Sequence, residues 1–231
     1  MMAQPLIPNK NITFLGTCSL FLFLLLSSRS VHSFTIAPVH PTPTRSTTQL
    51  DATSVGIYYG TVGGNTKTCA NHIMNAADAD NEITLCEIED LKDPQAFCNH
   101  DALIIGAPTW NTGADKERTL TGWDSWLYST LPTLDLKDKK VAVFGVGDQG
   151  DYPFNYCDAV GELHSEFTKA GCDVTYGRTS TDGYMHVNSK AQVDETEPTF
   201  YGLCMDENQQ AELSKPRADA WVAQLKEEGF F

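Results

Sequence analysis

Four short apolar runs, SVGIYYG (54–60), EITLCEI (82–88), ALIIGAP (102–108) and KKVAVFGVG (139–147), alternate with stretches of helical period. A strand that is apolar on both faces must be covered on both, and parallel sheets with helical crossovers meet that demand. Helices are expected from Thr66 to about Asp78, from about Leu120 to Leu131 and from about Tyr156 to Ala170. A fifth strand, CDVTYG, is interrupted: Thr179 to Met205 holds Gly183, Pro198 and many polar residues before FYGLCM returns to the sheet edge. The last helix is expected to start near Ser214 as N-cap, with Pro216 in its first turn, and to end at Gly229. The pattern predicts an α/β fold, a doubly wound five-stranded parallel sheet with helices on both faces.

Charge narrows the partners. The 231-residue chain carries a formal charge of -14, and its first acid is Asp51. Residues 1–50 hold Lys10, Arg29 and Arg45, so the rest has 13 bases against 30 acids, or -17. Nucleic acid is excluded as a ligand of that part, because phosphate backbones need clustered Lys and Arg. Partners with basic faces are favoured. About 180 residues make one domain, burying roughly 70% of the surface its unfolded chain exposes.

The first fifty residues read as an address. Residues 12–26 are an apolar run after Lys10, and Val31-His32-Ser33 offers a small-x-small cleavage pattern before Phe34, so 1–33 is expected to be a signal peptide. At 15 residues the run falls short of the roughly 20 needed to span a bilayer. Residues 34–50 are rich in Ser, Thr and Pro and lack acids, a transit-peptide composition. The stacked pair resembles the bipartite presequence of algae with secondary plastids of red ancestry, such as diatoms, and implies delivery to the plastid stroma (chloroplast). Residues 51–231 form the expected domain, without a membrane span in the mature protein. Its six cysteines (69, 86, 98, 157, 172, 204) have no CxxC pairing and no His at ligand spacing, so neither a zinc site nor a redox dithiol is indicated. They are expected to be reduced and mostly buried.

Ligands of open parallel sheets sit beyond the carboxyl ends of the strands. Three loops there have unusual chemistry. In the first, Thr61, Val62, Gly63, Gly64, Asn65 and Thr66 lead from a strand into a helix N-terminus, where free N–H groups, two hydroxyls and the helix dipole suit a phosphate. The loop is neither GxxxxGK[ST] nor GxGxxG. A phosphate held without Lys or Arg fits a monophosphate ester better than a magnesium triphosphate. The bland alternative is a Gly-rich connecting turn. The second loop, Pro108 to Gly113, puts Trp110 directly after a buried strand, where it either faces a ligand or covers the sheet end. The third, Val146 to Pro153, adds a second aromatic, Tyr152, with acids beside it. Two aromatics that sandwich a flat ring contribute about 0.5–1.5 kcal/mol each beyond area burial. A phosphate cradle with an aromatic sandwich describes an FMN site.

At these residues the chain resembles flavodoxins, from about Val55 to Phe230. GIYYGTVGGNTKT is similar to the phosphate loop, GAPTWNTG to the inner aromatic loop and FGVGDQGDYPFNYCDAVGEL to the outer one. TSTDGY and FYGLCMDE resemble the long-chain subgroup, and GADKERTLTGWDSWLYSTLPTLDLK its algal members. The resemblance implies strand order 2-1-3-4-5 and a monomer. It implies that Thr61 to Thr66 hold the FMN phosphate and that Trp110 and Tyr152 flank the isoalloxazine. Asn111 and Thr112 would sit near flavin N5, with Gly113 easing the turn. Gly147, Asp148 and Gln149 would face the pyrimidine edge, and Pro108, Thr109 and Asn155 belong to the same motifs. The family usually has Thr or Ser at Gly63, so one hydroxyl donor is missing, and Gly63→Thr is expected to tighten binding.

The resemblance also implies a low-potential one-electron carrier standing in for ferredoxin when iron is scarce, taking electrons from photosystem I and passing them to ferredoxin-NADP reductase. No Ser/His/Asp or Cys/His arrangement is recognisable, so no catalytic residue is named. An acidic protein disfavours adding negative charge to its cofactor; one unit charge at 4 Å and an effective dielectric of ~20 is worth about 4 kcal/mol, or roughly 170 mV. The alternatives are an FMN-dependent NAD(P)H quinone reductase of the same fold and a flavin-free acidic interaction module. Asp115, Glu117, Asp148 and Asp151 are expected to ring the exposed flavin edge.

Overall fold

Val55, Ile57 and Tyr59 point to one face of β1 (Ser54–Tyr59) and Tyr58 to the other, and all four are buried. The same two-sided burial holds in β3 (Ala102–Pro108) and β4 (Lys140–Val146), as a central parallel sheet requires. The computed structural model describes residues 53–77, 81–194 and 196–231. The expected signal and transit segments, 1–33 and 34–50, lie outside the described residues.

Helix α1 (Asn65–Ala77) follows β1 and leads to β2 (Glu82–Glu87); α2 (Ala96–Asn99), a short helix the sequence pattern did not reveal, precedes β3. Helix α3 (Trp123–Ser129) precedes β4, and α4 (Asp158–Lys169) follows it. Two short strands, β5 (Thr179–Ser180) and β6 (Thr199–Phe200), pair antiparallel; β7 (Leu203–Met205) and α5 (Ala211–Glu227) complete the chain. The parallel sheet has the order β2-β1-β3-β4-β7. Cys69, Ile73, Trp221 and Leu225 of α1 and α5 cover one face, and Trp123, Leu127, Leu163 and Phe167 of α3 and α4 the other. Helices therefore lie on both faces, as expected.

The fifth position of the sheet is β7, not CDVTYG. Asp173 makes one parallel bridge with Lys140, and there the ladder ends. Its carboxylate takes the N–H and the hydroxyl of Thr175, which turns the chain out of the sheet. The chain returns at Leu203 and pairs with Phe144, so the interruption is real and FYGLCM resumes the edge.

Two helix starts differ from expectation. α5 begins at Ala211, because Asp206 Oδ1 accepts the N–H groups of Asn208 and Gln209 and sets the preceding turn. Ser214 is therefore a buried residue within the helix and not its N-cap, and Pro216 lies inside. α3 starts at Trp123, since Leu120 has φ +51 and Asp124 ties back the N–H groups of Thr119 and Leu120. Cys69, Cys157, Cys172 and Cys204 are buried, while Cys86 and Cys98 are half-buried. Burial pushes the Cys172 thiol up to about 12, away from the reactive thiolate. No described helix is long and apolar enough to cross a membrane.

Candidate functional site

β1 delivers the first loop to the carboxyl edge of the sheet, where the Gly60 N–H donates to the Gly106 carbonyl at 3.0 Å. Beyond it the N–H groups of Thr61 through Thr66 donate no hydrogen bond among the described residues. Gly63 and Gly64 have φ +82 and +95, which turn these amides toward one side. Thr61 Oγ1 and Thr66 Oγ1 are buried without a partner. A run of unspent donors and two orphaned hydroxyls at the start of a 13-residue helix is the donor set an anionic group needs.

β3 delivers the second loop. Trp110 and Asn111 both donate their N–H to the Arg118 carbonyl, at 2.9 and 3.1 Å, and Thr109 Oγ1 accepts the Ala159 N–H at 3.0 Å. Trp110 is thus held by its backbone while the residue stays 51% exposed. Asn111, Thr112, Gly113 (φ +79) and Ala114 form a turn closed by the Ala114 N–H on the Asn111 carbonyl. The Thr112 N–H donates to the Trp110 carbonyl at 2.9 Å. The Asn111–Thr112 peptide therefore has internal partners at both of its polar atoms.

β4 delivers the third loop, with Tyr152 53% exposed. Between the loops lies an open cleft of about 90 Å³. Nine of the expected residues line it: Val62 and Asn65 on one side, Pro108, Thr109, Trp110 and Thr112 on the second, Gly147, Asp148 and Tyr152 on the third. Thr61, Gly63, Gly64 and Thr66 belong to the adjoining amide loop, and Asn111 and Gly113 to the turn beneath Trp110. Residues 57–221 match the flavodoxin family profile. Picosynechococcus flavodoxin is 40% identical over 172 residues, covering 74% of this chain and 95% of the relative.

The chain belongs to the flavodoxin family of electron-transfer proteins.

A Haemophilus influenzae flavodoxin is 35% identical over 75% of this chain and 94% of its own. The crystal structure of a Fusobacterium nucleatum flavodoxin bound to flavin mononucleotide superposes with TM-score 0.65 at 25% identity, covering 76% of this chain and 98% of that one.

Two of the expected residues lie outside the lining of the cleft. Gln149 does not line the cleft: it is buried, its N–H donates to Asp206 Oδ2, and its side-chain oxygen accepts the Met185 N–H. Asn155 lies outside as well, where its side chain donates to Asp158 Oδ2 at the start of α4. The backbone at Gly63 argues against a gain from Thr there, because a β-branched residue is strongly disfavoured at φ +82.

Asp148 is turned inward more than an edge acid would be. It accepts from the N–H groups of Gly150 and Asp151 and from the side chains of Asn208 and Gln209. Burial raises its pKa, but these donors outweigh burial and hold the carboxyl below the usual range. Asp115, Glu117 and Asp151 are exposed. Asn208, not foreseen in the sequence, lines the cleft and links Asn65 to Asp148. Its signal was available: DEN follows the returning strand FYGLCM at the same sheet edge. A larger concavity, about 600 Å³, lies elsewhere, over Glu162 and Lys190, and carries mixed charges. The smaller cleft is the candidate site, because the aromatic loops meet there and the loop with the orphaned hydroxyls adjoins it.

Proposed function

We propose that this chain binds one FMN noncovalently in the cleft and carries single electrons at low potential. The observation that carries the reading is the orphaned hydroxyl pair, Thr61 and Thr66, within a run of free amides beside the two exposed aromatics. FMN, when bound, supplies the one-electron chemistry. The Thr61–Thr66 segment binds its phosphate, with the α1 dipole adding to the field. Trp110 and Tyr152 exclude water from the ring faces. Thr112 and Gly147 line the cleft where the ring would lie, and Asp148 fixes the third loop.

The physiological reading is a plastid carrier that replaces ferredoxin between photosystem I and ferredoxin-NADP reductase when iron is scarce. Its support is the acid-free presequence pattern of residues 1–50 and the charge of -17 beyond it. The mature protein starts near Asp51 and is a monomer.

The deciding experiment is an absorbance spectrum of the purified protein with cofactor extraction. One FMN per chain is expected, and FAD at unit stoichiometry or no flavin would sink the reading. Rapid oxidation of NADPH without a reductase would favour a quinone reductase. Mass measurement of the protein from its native cells is expected to find the N-terminus near Asp51; an intact residue 1 would overturn the presequence.

A further inference from the structure

Glu162 stands on the buried face of α4 with its side chain 2% exposed. Buried carboxylates persist only where they are paired and hydrogen-bonded. Here Oε1 accepts the Glu117 N–H at 2.6 Å and the Tyr128 hydroxyl, and Oε2 accepts the Arg118 N–H at 3.1 Å. The Arg118 guanidinium, itself 5% exposed, lies 3.6 Å from Oε2 and donates to the Asp115 carbonyl at 2.6 Å. The carboxylate thus holds a loop segment, and Glu117 within it has φ +59, a conformation uncommon for a residue with a side chain.

That segment in turn carries the aromatic wall of the cleft. The Arg118 carbonyl accepts the N–H groups of Trp110 and Asn111, and the Asn111 side chain donates to the Glu117 carbonyl at 3.2 Å. One turn before Glu162, the Ala159 N–H of the same helix holds Thr109. The same helix is also joined to the other wall, through Asp158 to Asn155 and Asn155 to the Tyr152 carbonyl.

We propose that Glu162 is a positioning residue for the cofactor cleft: its carboxylate fixes residues 117–118, whose Arg118 carbonyl sets the main chain of Trp110 and Asn111. Helix α4 then determines the spacing of the two aromatic loops. The electrochemical consequence rests on the FMN reading; the mechanical one does not.

The test is amide hydrogen exchange on the apoprotein, with reduction potentials of the loaded protein as second readout. In the wild type, the amides of Trp110, Asn111, Glu117 and Arg118 open together. In Glu162→Gln, which turns an NH2 group toward N–H donors, Trp110 and Asn111 lose about tenfold or more of their protection relative to β4 amides, and both one-electron potentials move. Tyr128→Phe keeps both main-chain contacts and leaves protection within about twofold. Unchanged protection in folded Glu162→Gln overturns the proposal. Lost protection with unmoved potentials overturns the positioning role and leaves a structural one. Should Glu162→Gln not fold, the wild type decides: independent opening of 110–111 and 117–118 overturns the clamp. Failure of the FMN reading is distinct, since it appears in titration of the wild type.

Discussion

Gly63 and Gly64 would carry a Cβ into open space, with nothing within 4 Å, so backbone conformation alone excludes side chains there. The left-handed region costs a residue with a Cβ about 1–2 kcal/mol, and more when it is β-branched. A hydroxyl bond to phosphate returns about 0.5–1.5 kcal/mol. Gly63→Thr is therefore expected to weaken FMN several-fold in a fluorescence titration of the apoprotein, and Gly63→Ala to weaken it as well. Tighter binding by the Thr variant would show that the new donor wins. Trp110→Ala and Tyr152→Ala are each expected to weaken FMN by at least about 0.5–1.5 kcal/mol and to shift the two potentials unequally. Equal affinity and potentials in both would show that neither ring touches the cofactor. Thr61, Thr66, Trp110 and Tyr152 were legible because each follows an apolar strand, where polar or aromatic residues have no core to fill. The φ of Gly63 was not, since residue type does not fix a dihedral angle. Nor was the inward turn of Gln149, whose partners Asp206 and Met185 are distant in sequence.

At the scale of elements, α4 receives the excursion between β5 and β6 through a glycine. A Cβ on Gly161 would lie 2.0 Å from the Lys190 carbonyl oxygen, a backbone atom with little room to move. Lys190 is held there by its N–H on Asp158 Oδ1 at 2.8 Å, and Ser189 by its hydroxyl on the Tyr156 carbonyl. Gly161→Ala is expected to destabilise the fold by about 1–3 kcal/mol in denaturant unfolding, with faster proteolysis within 181–200. Wild-type stability in that variant would show that the excursion is not docked on α4. The four apolar strands and the helices between them were legible from burial on both faces. The fifth strand was legible only as a gap, because its two halves are separated by the excursion, and what ends the first half is one side chain, Asp173. The start of α5 was misplaced for a similar reason: Ser214-Lys215-Pro216 is a sound local cap signal. The turn that Asp206 builds is stronger than that signal, and Asp206 also holds Gln149 of a distant loop.

The whole molecule responds to pH and salt through groups spread over its surface. His164, stacked on Tyr201 at 3.8 Å, is held down to about 4 by burial and then by Arg178, and burial lowers His100 as well. Between about pH 6.5 and 4 the unfolded chain takes up a proton at His164 that the folded one refuses, so stability falls as pH falls through that window. His164→Phe keeps the stack and removes the proton site; it is expected to flatten the fall of the thermal midpoint, and an unchanged slope would remove His164 as a cause. Salt acts on the charge of -17. Asp115, Glu117 and Asp151 are exposed on the loops that carry Trp110 and Tyr152, although Asp148 is tied inward. Any one exposed acid contributes little by itself. Together they set up a negative field that would steer a basic-faced partner toward the cleft, over a Debye length that shrinks from ~30 Å at 0.01 M to ~10 Å at 0.1 M salt. Electron transfer to a basic-faced reductase is therefore expected to slow as salt rises past any low-salt optimum, and Asp151→Lys to slow it further at low salt. The difference between that variant and the wild type should narrow as salt rises, since screening removes the same field that the substitution weakens. Rates flat from 0.01 to about 0.3 M would refute electrostatic docking and leave apolar contact at the aromatic loops to orient the partner.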